Sequence, residues 1–115
     1  MIADLAHFEI NGPDDGALVD FYVGLLGWPT DPTGPGYTLI QSPGGLRGAI
    51  VESPESRVTL GVAVDDLGLA LEQVIALGGK ILIPATDNGW VEKALIADPA
   101  GNVMSLIQDR PSGGR

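Results

Sequence analysis

The chain has 115 residues, 44% of them hydrophobic, enough for one compact domain with its own core and too few for two independent ones. Fifteen acidic residues against six basic ones give a net charge of -9, which argues against a nucleic-acid partner, because phosphate backbones are bound largely by Lys and Arg. The absence of cysteine excludes disulfides, thiolate metal sites and a cysteine nucleophile.

The acidic excess is read first as a solvated, self-repelling surface and second as a cleft that attracts a cationic ligand. Asp4 stands near the start, and neither a basic, apolar leader nor a membrane span is visible, so the expected location is cytoplasmic with no membrane partner.

In chain order, Leu5 to Ile10 alternates small or apolar residues with His7 and Glu9 and closes at Asn11-Gly12-Pro13, a strand followed by a turn. Asp14 and Asp15 occupy N-cap positions, and Leu18, Phe21, Tyr22, Leu25 and Leu26 follow at helical spacing before Gly27. The Pro- and Gly-rich stretch 29–36 predicts a loop or an irregular edge strand. Tyr37 to Gln41 reads as a short strand, and a Pro43-Gly44-Gly45 turn leads into a strand over Leu46 to Glu52.

A polar connector, 53–56, precedes a second pass through the same plan. Val58 to Val64 is a strand and Asp65-Asp66 supplies caps. Leu67, Ala70, Leu71, Val74 and Leu77 make a helical stripe ending at Gly78-Gly79. Lys80 to Pro84, Val91 to Ala97 and Asn102 to Gln108 are further strands, the last two around Asp98-Pro99-Ala100-Gly101, and the polar tail 109–115 is expected to fray.

Asp14, Asp15, Leu18, Val23, Leu26 and Gly27 recur 51 positions later as Asp65, Asp66, Leu69, Val74, Leu77 and Gly78 (65 − 14 = 51). Pro43 and Gly45 recur at an offset of 56 as Pro99 and Gly101 (99 − 43 = 56). Ordered matches inside one plan point to a tandem duplication. The chain is a single domain over 1–115, with repeat 1 at about 1–54 and repeat 2 at about 55–108.

The residues His7-Phe8-Glu9-Ile10, Phe21-Tyr22 with Leu25-Leu26-Gly27-Trp28, Val62 to Leu67 leading to Ala76-Leu77-Gly78-Gly79-Lys80, and Asp98 to Asn102 resemble the vicinal oxygen chelate superfamily. That superfamily includes glyoxalase I, bleomycin-resistance proteins, fosfomycin-resistance enzymes and extradiol dioxygenases, and the resemblance spans about residues 5 to 108. It implies an α+β fold in which tandem βαβββ modules form a curved mixed sheet, cupped around a small-molecule ligand and usually assembled as a homodimer. The two modules pair within one chain, or by domain swapping between chains.

Enzymes of that superfamily hold a divalent cation through four side chains, and the resemblance places the first of those positions on His7. The position four residues after Gly101 is Ser105, the matching count from Gly45 gives Ala49, and the first strand of the second repeat offers Val58, Thr59 or Leu60. None of these supplies an imidazole or a carboxylate, so His7 alone of the ligand set is retained and no metal residues are assigned. Glu52 is three residues from Ala49, and an odd shift along a strand turns a side chain to the other face.

The expectation is therefore a glyoxalase/bleomycin-resistance-like protein that binds a small molecule between two modules, with no metal and no cofactor. The alternative is an enzyme of the same superfamily. It is either a metal-dependent lyase, isomerase or dioxygenase with a divalent metal, or a metal-free isomerase or epimerase using His7 and Glu9 as catalytic groups. A third reading is a structural or regulatory dimer whose cup is filled by its own side chains.

His7 carries an imidazole, a side chain that suits a base, and Glu9, two residues on, shares its face. Each also has a plain structural role open to it, His7 as a hydrogen-bonded strand residue and Glu9 as a solvated charge at the rim. Candidate ligand contacts are His7, Tyr37, Arg47, Ala49, Thr59, Trp90 and Ser105. Trp90 equally packs a turn, Arg47 equally lies at the surface, and Trp28 and Phe21 are expected in the core. No phosphate loop, dinucleotide fingerprint or Gly-x-Ser-x-Gly elbow is present, so no nucleotide cofactor is implied.

Overall fold

The structure is a computed structural model and describes residues 2–87, 89 and 91–109. Its elements run β1 (Asp4–Gly12), α1 (Asp15–Leu26), β2 (Thr30–Gly34), β3 (Tyr37–Gln41), β4 (Arg47–Glu52), β5 (Arg57–Ala63), α2 (Leu67–Ala76), β6 (Lys80–Asp87), β7 (Val91–Ala97) and β8 (Val103–Asp109). The order is βαβββ twice over, and the fold is α+β. Two compact units emerge from the contacts, one of Ala6–Thr59 and one of the described residues in Met1–Leu5 and Leu60–Arg115.

Both modules are wired alike. In the first, β1 pairs parallel with β4, β4 antiparallel with β3, and β3 antiparallel with β2. In the second, β5 pairs parallel with β8, β8 antiparallel with β7, and β7 antiparallel with β6. The helix joins β1 to β2, and two antiparallel steps, β2 to β3 and β3 to β4, bring β4 back to the direction of β2, so β4 pairs parallel with β1. The second module repeats this from β5 to β8.

Each helix covers one face of its own sheet. Phe8, Ile10, Ile40 and Ile50 are buried beneath α1, packed by Leu18, Val19, Tyr22 and Trp28. Val64, Leu67, Ala70, Ala94 and Leu106 form the second core, packed by Leu71 and Val74. Trp28 stacks its ring on Tyr22 at 6.2 Å and meets Phe8 edge-on at 5.7 Å. Phe21 departs from expectation. It is 59% exposed, because the half-buried stripe of α1 that packs on the sheet runs through residues 18, 19 and 22, and Phe21 and Leu25 fall on its far side.

The N-caps revise the alignment of the repeats. Asp14 accepts a hydrogen bond from the Ala17 N–H and Asp66 from the Leu69 N–H, each at 3.0 Å, so Asp66 and not Asp65 is the counterpart of Asp14. The offset across the start of the helices is therefore 52 (66 − 14 = 52). It sets Leu18, Val19 and Tyr22 on Ala70, Leu71 and Val74, the residues that pack each core. Gly45 and Gly101 both adopt positive φ, 96° and 92°, in the turns where the offset of 56 matched them.

The stretch 29–36 does contain an irregular edge strand: every residue of β2 is exposed, and its pairing with β3 slips between Pro32 and Gly34. Of the tail 109–115, expected to fray, Asp109 instead closes β8, where its backbone pairs with Val91, and residues 110–115 lie outside the described residues.

Candidate functional site

With the even-numbered residues of β1 and β4 under α1, the odd-numbered ones face the other way. Strand register turns this open face of the first module into three rows: His7, Arg47 and Gln41; then Glu9, Ala49 and Leu39; then Asn11, Val51 and Tyr37. Four of the expected site residues, His7, Arg47, Ala49 and Tyr37, thus share one face with Glu9. The parity that groups them also sets Glu52 on the helix side with Ile50, so it does not join Ala49.

His7 and Glu9 approach to 3.7 Å between Nε2 and Oε2, with side chains 21% and 18% exposed. That is an electrostatic contact, longer than a hydrogen bond. Tyr37 is half-buried, and its phenol is pushed above its ordinary 10.0, first by burial and second by the negative charge of Glu9. Tyr37 therefore stays a neutral donor while Glu9 and His7 offer acceptors, an arrangement able to hold or move a proton on a bound molecule.

Ala49 is fully buried at the centre of the face. Arg47 is exposed and, with Asp31, Leu39, Gln41 and Gly48, lines an open cavity of about 220 Å³ beside β2 and β3. In the second module, register places Ser105 beside Gly61, as Ala49 lies beside Glu9 in the first. Ser105 and Thr59, on strand positions of the same parity away from α2, are 2% and 3% exposed. Trp90 lies outside the described residues.

The donor chemistry does not fit a resident divalent cation. At the two last-strand positions stand a methyl and a lone hydroxyl, Ala49 and Ser105, and the first strand of the second module offers Thr59 where an imidazole would stand. Among the described residues, no three His, Asp or Glu side chains gather closely enough to hold one. The described residues also include no helix long and apolar enough to cross a membrane.

Asn11 is a residue of this face that sequence reasoning missed. Followed by Gly-Pro, it reads as a turn former, whereas β1 runs on to Gly12 and keeps Asn11 in phase with His7 and Glu9. Extending the alternation by one further odd position was the available signal.

Residues 7–107 match the family described as the glyoxalase-like domain. The chain is 32% identical to the anthracycline biosynthesis protein DnrV of Streptomyces peucetius, over 88% of this chain and 45% of that protein. A putative glyoxylase, CFP32, of Mycobacterium bovis is 30% identical over 87% of this chain and 43% of its own length. The chain thus spans less than half the length of these relatives. Among solved structures, a glyoxalase/bleomycin resistance protein/dioxygenase superfamily member from Vibrio splendidus 12B01 superimposes with a TM-score of 0.71 at 16% identity, covering 94% of this chain and all of that one. A methylmalonyl-CoA epimerase from Mycobacterium tuberculosis gives 0.68 at 16% identity, covering 93% and 88%. At such identities the match speaks for the fold.

Proposed function

The chain belongs to the glyoxalase-like domain family of the vicinal oxygen chelate superfamily, and on that footing we propose that it binds a small molecule on the open face of its first module without a metal. The observation that carries this reading is the convergence of His7, Glu9 and Tyr37 on a face whose last-strand position, Ala49, has no donor atom. A polar group of either sense finds a partner there, while Leu39 and Val51 supply apolar contact, the usual make-up of a small-molecule site. Elemental analysis together with calorimetric titration of antibiotics and metabolites tests it. Ligand binding by metal-free protein is the expected result, and a stoichiometric divalent metal required for binding overturns it.

A second reading, a metal-free isomerase or epimerase, is favoured by the approach of His7 to Glu9. A base that removes a proton next to a carbonyl exchanges it with solvent. Incubation of 2-substituted acyl compounds in heavy water, followed by NMR, therefore detects the activity, and loss of exchange in His7→Ala assigns the base. Assembly as a homodimer is the further expectation that membership of this family carries. Sedimentation equilibrium reads the mass, and a monomer at all concentrations refutes the dimer.

A further inference from the structure

Asn11 carries a polar atom that the fold leaves unmet. The residue is 9% exposed, and its side-chain carbonyl oxygen, Oδ1, is shut off from solvent without a hydrogen-bond partner. Such atoms are rare in folded proteins, because a buried acceptor loses water and gains nothing in return.

Two backbone donors at this end of the module are already committed. The Ser53 N–H donates to the Gly12 carbonyl at 2.8 Å, and the Glu52 N–H donates to the Gly36 carbonyl at 2.8 Å. Nor does Asn11 make the local turn that commonly satisfies such a side chain, as Asp98 does by accepting from the N–H groups of Ala100 and Asn102. Its place in β1 puts it on the open face, two residues beyond Glu9 and in the row of Val51 and Tyr37.

We propose that Asn11 Oδ1 is a specificity contact of this face, accepting a hydrogen bond from an N–H or O–H group of the bound molecule. The ligand class is a small molecule that presents an amide N–H or a hydroxyl beside an apolar or aromatic body. The body lies over Val51 and Leu39, and the donor reaches Asn11. The inference rests on the open face being the small-molecule site and adds to that reading the sense of the hydrogen bond. A site built around a buried acceptor rejects analogues lacking the donor, because the acceptor then stays unpaired in the complex.

Matched fragment pairs test this on the intact chain: benzamide against N,N-dimethylbenzamide, and phenol against anisole, each titrated by ¹H–¹⁵N NMR. The donor-bearing member of each pair shifts the amides of Glu9 to Gly12 and binds about tenfold or more tightly than its blocked partner. Asn11→Leu removes the acceptor and brings the two members within about twofold of each other. Equal binding of the pair to the wild type, preference for the blocked member, or discrimination that persists in Asn11→Leu overturns the proposal while leaving the face a binding site. Absence of any shift on this face overturns the binding reading itself. The wild-type comparison decides the matter even where Asn11→Leu does not fold.

Discussion

Tyr37 is the residue through which the open face can be watched in solution. Its phenol is raised above 10.0 by burial and by Glu9, so the folded state holds the proton at pH values where the unfolded chain has released it. Stability from this group is complete below pH 10 and drains away as the pH climbs through the folded value. The ultraviolet titration of wild type minus Tyr37→Phe isolates this phenol. In Glu9→Gln it is expected to titrate lower than in the wild type yet still above 10.0, because desolvation, the larger cause, survives the substitution. An unchanged titration in Glu9→Gln would show that the carboxylate does not face the ring. Glu9 was legible as a neighbour of His7 on one face, since period-two alternation sorts strand residues onto opposite faces. Tyr37 and Arg47 stood out only as amphipathic side chains beside glycines, and it is strand register that sets them on that face. Asn11 was not legible, because Asn-Gly-Pro carries a strong turn signal and a strand that outlasts it leaves no local trace.

At the scale of elements, the contact between β1 and β4 depends on Gly48. The Phe8 ring lies over it so closely that an added Cβ would meet ring carbons at 2.5 to 2.6 Å. Gly48→Ala is therefore expected to destabilise the protein by about 1–3 kcal/mol, the usual penalty for overpacking, as read by urea denaturation. A neutral result would mean that the ring swings clear of the strand.

The turn before β8 makes a different prediction. The Asp98 carboxylate accepts from Asn102 Nδ2 at 2.8 Å and from the Asn102 and Ala100 N–H groups at 2.9 and 2.8 Å, and Asn102 first of all holds its pKa below the ordinary 3.8. Its contribution to stability is present above that pH and lost as the pH falls through the depressed folded value. Asn102→Ala should move the carboxyl back toward 3.8, a shift readable by ¹³C NMR of the side-chain carboxyl. Strand and cap positions of this kind were legible in the sequence, whereas the orientation of α1 was not. Leu18, Phe21, Tyr22, Leu25 and Leu26 form an apolar band wide enough to be placed two ways, and only packing against Phe8, Ile40 and Ile50 selects Leu18, Val19 and Tyr22.

For the molecule as a whole, the duplication was legible because both copies lie in one chain and can be compared directly, even though an offset of 51 had to give way to 52 at the caps. The ligand was not legible, because the residues that differ between the copies lie where a binding site would, His7 against Thr59 and Ala49 against Ser105, and a difference names no molecule. Charge is the remaining property of the whole chain, and it has a measurable consequence. Six basic residues cannot pair one to one with fifteen acidic ones, so at least nine carboxylates stay uncompensated at neutral pH (15 − 6 = 9). Folding brings them closer together than they are in the unfolded chain, and their mutual repulsion opposes the compact state. Salt screens that repulsion over a distance of about 10 Å at 0.1 M ionic strength. Raising sodium chloride from low concentration to about 0.2 M should therefore raise the melting temperature, by roughly 4 °C for each kcal/mol of repulsion removed in a domain of this size. Potassium chloride should act equally, since screening depends on ionic strength and not on the identity of the cation. A melting temperature that falls with salt would instead mean that favourable ion pairs, such as Arg57 with Glu55 at 3.6 Å, outweigh the excess of negative charge.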